Sequence, residues 1–203
     1  MVVTAATGVL GSAMVRLAPF FGVSRLIAVG RSRERLMRTQ QLAPDMVEVL
    51  ALEELDDDWG TTQGLTRAIR ALVPRGPDVV FDFFDSGPGT WQAIASLKTG
   101  GTATLMAPNM SAPELPTVAF IAGGWRVVGT RSCTRSDAQM VSDWVERGML
   151  TVEDLITHRF TLDDVGSAAT VVAERKDPTW MVVVNPLGKP EQGDSAAVSA
   201  EED

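Results

Sequence analysis

The sequence predicts an α/β protein: a doubly wound parallel sheet of about six strands, in the order 3-2-1-4-5-6, with a helix and a strand appended after it. Two observations carry this. Short apolar runs alternate with helical patterns six times along residues 1–150, and the runs are continuously apolar. A strand buried on both faces needs no polar side, so continuous runs mark a parallel sheet covered by helices.

Val2–Ala5 is the first run. Leu10, Met14, Leu17 and Phe21 then recur at spacings of three and four, the apolar face of a helix that Pro19 bends or shortens and Gly22 ends. Leu26–Val29 is the second strand, and Ser32 is placed to cap a helix through about Gln40. Val47–Leu50 is the third strand. The acidic stretch EELDDDWG (53–60) reads as an exposed loop before a helix over Thr62–Leu72. PDVVFDFFD (77–85) supplies the fourth strand, and a helix over Trp91–Leu97 follows the turn SGPGT. Thr102–Met106 and Trp125–Gly129 are the fifth and sixth strands. Beyond residue 150, Thr161 caps a helix over Leu162–Glu174, and Met181–Val184 is a strand. Residues 187–203 are small, polar and acidic, and are expected to form a disordered tail.

Composition narrows the function. The 203 residues are 45% hydrophobic and 22% charged, ordinary for a globular domain, and carry a formal charge of −8. That charge argues against a nucleic-acid surface or an anionic membrane. Nowhere is there an apolar run of membrane-spanning length or a signal sequence, so a cytoplasmic setting is expected. A single cysteine (Cys133) and a single histidine (His158) rule out an intrachain disulfide and cannot build a Cys/His zinc site from this chain alone.

The most informative stretch is VVTAATGVLGS, residues 2–12. A strand that turns into a helix through small residues lets backbone approach a pyrophosphate and aims helix N–H groups at its oxygens. Gly8 and Gly11 hold the second and third glycine positions of G-x-G-x-x-G, and Ala6 holds the first. Thr7, Gly8, Val9, Leu10 and Gly11 are therefore candidate cofactor contacts. At the end of the second strand an acidic residue would accept from a ribose 2′-hydroxyl. Here Gly30 leaves room, and Arg31, Ser32 and Arg33 follow. Guanidinium groups pair with a 2′-phosphate, so NADP(H) is favoured over NAD(H).

Taken in order, four segments resemble the medium-chain dehydrogenase/reductase superfamily, the zinc alcohol dehydrogenases and their zinc-free quinone oxidoreductase relatives. They are AATGVLGSAMVRLAPFFGVSRLIAVGRS, GPDVVFDFFDSGPGTWQAIASLKTGGTATLMAP, WRVVGTRSCTRSDAQMVSDWVERGML and ITHRFTLDDVGSAATVVAER. The resemblance spans residues 2 to about 186. It implies a Rossmann domain over 1–150 and a segment, 151–186, that returns to a substrate-binding domain preceding the nucleotide domain in the family. It places Phe83, Phe84 and Asp85 on the adenine side, and Ala107, Pro108, Gly129, Thr130 and Arg131 facing the nicotinamide. Asp85 and Ala107 stand where the family commonly has glycine. The catalytic half is expected to be absent, so no catalytic residue is assigned. Val171, Val172 and Trp180 would then lack their usual cover, and residues 151–186 become a candidate surface for self-association or a partner chain.

The implied function is hydride transfer to or from an alcohol, carbonyl or activated alkene. Two alternatives stand beside it: an inactive cofactor-binding or regulatory module working with a partner chain, and a truncated gene product. The chain has no tyrosine, so the Tyr/Lys pair of short-chain dehydrogenases is excluded. His158 and Cys133 read as structural, and Asp82 resembles the family's structural acid after the fourth strand.

Overall fold

The computed structural model describes residues 1–112, 114–175 and 179–188. Two compact units result, Met1–Leu155 and a second beginning at Ile156.

The first unit is the expected sheet. Strands β1 (Val2–Val3), β2 (Leu26–Gly30), β3 (Val47–Ala51), β4 (Val79–Asp82), β5 (Thr102–Leu105) and β6 (Arg126–Gly129) lie in the order β3-β2-β1-β4-β5-β6. Every pairing is parallel. Side chains alternate between sheet faces. Val2, Ile27, Val29, Val80 and Ala103 pack with Leu65 and Ile69 of α3 (Gly64–Leu72) and with Ala93 and Ile94 of α4 (Gly89–Ala95). Val3 and Ala28, one residue out of phase, are equally buried on the other face.

Helix α1 (Val9–Leu17) corrects one expectation. Its buried residues are Gly11, Ser12 and Val15, whereas Leu10 and Phe21 are 56% and 60% exposed. The helix lies so close to the first turn that Gly11 is needed beneath it, and of the predicted face Met14 and Leu17 are half-buried while Leu10 and Phe21 point outward. Pro19 acts as predicted: the α-helix ends at Leu17, a 3-10 turn covers Ala18–Phe21, and Gly22 closes it at φ 69°. Phe20 of that turn stacks on Trp144 of α6 (Arg135–Glu146) at 4.8 Å.

Helix α2 (Arg33–Gln40) corrects another. Ser32 occupies the cap position, but its hydroxyl makes no capping bond; the Arg33 N–H donates to the Glu53 carboxylate instead, at 2.7 Å. Two helices without a counterpart in the sequence reading are α5 (Thr117–Gly123) and α6. Thr134 and Asp137 form a full capping box at the start of α6. Arg16 of α1 ties the end of this unit down: its guanidinium donates to the Thr151 and Leu42 carbonyls and meets the Asp154 carboxylate at 2.9 Å.

The second unit pairs β7 (Ile156–Thr161) with β8 (Met181–Asn185) in parallel, joined through α7 (Val165–Glu174). Strand β7 was not anticipated, and residues 162–164 form a 3-10 turn before α7 begins. Trp180, expected to be bare, is buried, and its N–H donates to the Thr157 hydroxyl of β7; Val172 is exposed as expected. The expected tail lies, from residue 189 onward, outside the described residues. Among the described residues no helix is long and apolar enough to cross a membrane.

Candidate functional site

All six strands point the same way, so every loop that follows a strand emerges at one edge of the sheet. The chain leaves β1 toward β2 on one side, and β4 flanks β1 on the other. This is the topological switch point, where open α/β sheets form their binding crevice.

The turn after β1 is built from main-chain bonds. Ala6 N–H donates to the Val29 carbonyl and Gly8 N–H to the Ala5 carbonyl, while Ala5 takes φ 44°. That left-handed conformation is costly for a residue with a Cβ, so the turn stores strain where backbone must fold back sharply. Gly8 is the N-cap of α1, and no side chain caps the helix. A methyl group on Gly11 would lie 2.5 Å from the Ala5 carbonyl oxygen and 2.7 Å from the Ala6 Cα. Only glycine allows that approach. One on Gly8 would meet nothing closer than 3.4 Å. The result is a bare helix N-terminus, with its partial positive charge, directly above the switch point.

The flanking loops sort the remaining candidates. Gly30 does not leave the expected room: it is buried, and a methyl there would stand 3.0 Å from the Leu36 side chain and 3.2 Å from the Thr7 methyl, which the glycine lets close in. Arg31 is exposed at that corner; Arg33 is also exposed, and its guanidinium pairs with the Glu54 carboxylate at 3.0 Å. Val9 and Leu10 point outward. After β4, Phe83 is buried and Phe84 folds onto the core against Gly89, leaving Asp85 exposed. After β5, Ala107 is half-buried and Pro108 exposed. Thr130, exposed with Gly129 and Arg131, anchors its loop through an N–H bond to the Leu105 carbonyl.

A buried polar network holds these loops at their places. The Thr4 hydroxyl donates to one Asp82 oxygen at 2.6 Å, and the Thr90 hydroxyl to the other at 2.8 Å. Thr4 also accepts from Phe83 N–H, and Thr90 from the Asn109 amide, which reaches on to the Gly87 carbonyl. The Ser111 hydroxyl accepts from Gly87 N–H. Burial pushes the Asp82 carboxyl above the usual range, against the Thr4 and Thr90 hydroxyls and the Phe84 main chain, which favour its charged form. The network joins the β1, β4 and β5 loops, and its Thr4–Asp82 bond alone spans 78 residues of sequence, so no local signal announces it.

A family profile described as zinc-binding dehydrogenase matches residues 9–147. The chain belongs to the zinc-binding dehydrogenase family. It is similar to an alcohol dehydrogenase of Cupriavidus necator, with 25% identity over 187 residues that cover 89% of this chain and 48% of that protein. Among solved structures it is similar to crotonyl-CoA carboxylase/reductase AntE in complex with NADP (TM-score 0.75, 16% identity, 90% of this chain, 48% of that one). It is likewise similar to a short chain alcohol dehydrogenase from E. coli CFT073 complexed with NADH (TM-score 0.72, 19% identity, 90% of this chain, 51% of that one). The chain spans about half the length of the proteins it matches. At these identities the structural likeness establishes the Rossmann fold.

The family's zinc can be tested on the donor set. Cys133 is exposed in the loop after β6, and His158, in the other unit, has its Nδ1 3.0 Å from the Thr157 hydroxyl. Among the described residues no group of three His, Cys, Asp or Glu side chains is arranged to hold a metal ion. These residues do not fit a zinc site.

Proposed function

We propose that this chain binds a nicotinamide dinucleotide across the switch point, NADP(H) in preference to NAD(H), as the cofactor-holding part of an alcohol dehydrogenase-like oxidoreductase. The observation that carries the reading is the uncapped N-terminus of α1, held against the first turn by Gly11. Solved structures of the same fold with NADP or NADH bound support it.

When bound, the nicotinamide gives or takes a hydride for an alcohol, carbonyl or activated alkene. This chain's residues bind and orient. Within Thr7 to Gly11 the Gly8 N–H is held by the Ala5 carbonyl, so the first N–H groups of α1, from Val9 to Gly11, would meet the pyrophosphate, with the α1 dipole adding about 0.3–1 kcal/mol for an anion. Gly30 is buried and lets Leu36 and Thr7 close over the end of β2, so the adenosine ribose would lie at the corner that follows it, where Arg31 and Arg33 supply the charge that favours a 2′-phosphate. Phe83 to Asp85 border the adenine. Ala107, Pro108, Gly129, Thr130 and Arg131 border the nicotinamide. The Asp82 network fixes the loops that carry those borders.

Self-association is proposed through the segment 151–186, where Leu162, Val165 and Val172 are exposed. A dimer band in size-exclusion chromatography supports it, and a monomer at high concentration refutes it. Fluorescence titration of the 203-residue chain with NADPH and NADH tests the cofactor reading. Saturable binding of NADPH, tighter than of NADH, is expected. A flat titration with both refutes it.

A further inference from the structure

The corner that would take the adenosine ribose already holds its own anions. The Arg33 N–H, the first of α2, donates to Glu53 at 2.7 Å, and the Arg33 guanidinium meets Glu54 at 3.0 Å. The Glu53 main chain is itself locked to the loop after β2, its N–H donating to the Arg31 carbonyl at 3.1 Å. Glu53 and Glu54 belong to the turn after β3, so these bonds pin the β3 end of the sheet to the β2 end. Glu53 and Glu54 thus both engage Arg33, one through its main chain and one through its guanidinium.

We infer that Glu53 and Glu54 set the dinucleotide preference of this chain by occupying the donors that a 2′-phosphate would use. The inference rests on the dinucleotide reading above and adds a residue-level account of its selectivity. A 2′-phosphate entering at this corner would draw on the exposed Arg31, the Arg33 guanidinium and the first N–H of α2. The last two are taken by carboxylates in the free protein. Binding therefore exchanges a carboxylate for a phosphate rather than filling an open cradle, and it leaves two displaced negative charges beside the new one. An unphosphorylated ribose makes no such demand. The Arg33–Glu54 pair is about half exposed on both sides, so it is weak enough to be displaced. Preference for NADP(H) is thus modest in the natural chain, and the two carboxylates are what limit it.

Neutralising them without changing their shape tests this. Glu53→Gln keeps a carbonyl oxygen for the Arg33 N–H, so the α2 cap survives, and Glu54→Gln lies at a half-exposed site. Dissociation constants of NADPH, NADH, 2′,5′-ADP and 5′-AMP are measured for the full chain, both single variants and the double variant, with melting curves to show that each is folded. The double variant is expected to bind NADPH and 2′,5′-ADP roughly tenfold tighter, with NADH and 5′-AMP unchanged within about twofold. Glu54→Gln alone should show part of the effect. Equal changes for all four probes, or none for the phosphorylated pair, overturn the inference. So does a selective loss of NADH and 5′-AMP binding in Glu53→Gln, which would make Glu53 a ribose-hydroxyl acceptor. A natural chain that binds none of the probes refutes the dinucleotide reading and this inference with it. A natural chain that binds NADPH, with an unchanged double variant, refutes this inference alone.

Discussion

Replacing Gly11 by alanine puts the packing of the first turn to the test. The added methyl would sit 2.5 Å from the Ala5 oxygen, 2.7 Å from the Ala6 Cα and 3.0 Å from the Ala5 carbonyl carbon. Ordinary contact begins near 3.4 Å, so the shortfall is close to 0.9 Å, and every atom it meets is main chain. No side chain can rotate away. Helix α1 must retreat from the turn, although Val15 and Ala18 behind Gly11 are fully buried and resist the shift. Overpacking of this kind costs about 1–3 kcal/mol. For a unit of this size each kcal/mol lowers the melting temperature by roughly 2–4 °C, so a fall of about 2–12 °C is expected. The same retreat carries the α1 N–H groups away from the crevice and weakens NADPH binding by at least about tenfold. Circular dichroism melts and urea titrations read the stability. Gly8→Ala is the control, because its methyl meets nothing closer than 3.4 Å and the poorer N-cap should cost no more than about 1 kcal/mol. A Gly11→Ala protein as stable as that control would refute the close approach.

Two further outcomes follow from the polar ties. Asp82→Ala leaves the Thr4 and Thr90 hydroxyls without their shared acceptor and is expected to cost about 2–3 kcal/mol at neutral pH, read by urea titration. Burial raises the native Asp82 pKa, so the folded chain keeps a proton that the unfolded chain has lost. This contribution makes stability fall as pH rises from the ordinary carboxylate value, about 3.9, through the raised native value. Asp82→Asn should remove that slope, and a slope identical to the natural chain's would contradict the assignment. Arg16→Ala should lose about 1–2 kcal/mol, because one guanidinium serves the Thr151 and Leu42 carbonyls and Asp154 together. Arg16→Lys should recover less than half of it, since an ammonium lacks the fork that spans three acceptors.

What the sequence revealed and what it hid divide along a physical line. All six strands of the first unit were legible because strands buried on both faces leave continuous apolar runs. Their ends shifted by a residue or two where turns intervene, as at β1, which stops at Val3 because Ala5 turns left-handed. The buried face of α1 was misread because periodicity counts large apolar residues, whereas a helix pressed onto a turn buries Gly11, Ser12 and Val15. Two missed elements did carry signals: Ile156, His158 and Phe160 alternate as a strand does, and Thr134 with Asp137 is a capping box. The candidate site was legible in its glycines. Its wiring was not, because Glu53 capping Arg33 spans 20 residues and Thr4 reaching Asp82 spans 78. Such pairs exist only once the sheet has formed.

The central claim, that the bare α1 N-terminus holds a pyrophosphate, is met most directly by Gly8→Asp. Gly8 has an extended backbone with φ −85°, and a Cβ there has room, so aspartate fits and is a favoured N-cap. Folding should therefore be kept or improved by up to about 1 kcal/mol, while a carboxylate now stands where the pyrophosphate would sit. Two like charges about 4 Å apart repel by up to roughly 4 kcal/mol near a protein surface. A melting temperature at or above that of the natural chain is expected, with NADPH affinity reduced by more than about a hundredfold. A well-folded Gly8→Asp chain that binds NADPH as tightly as the natural one would contradict the claim.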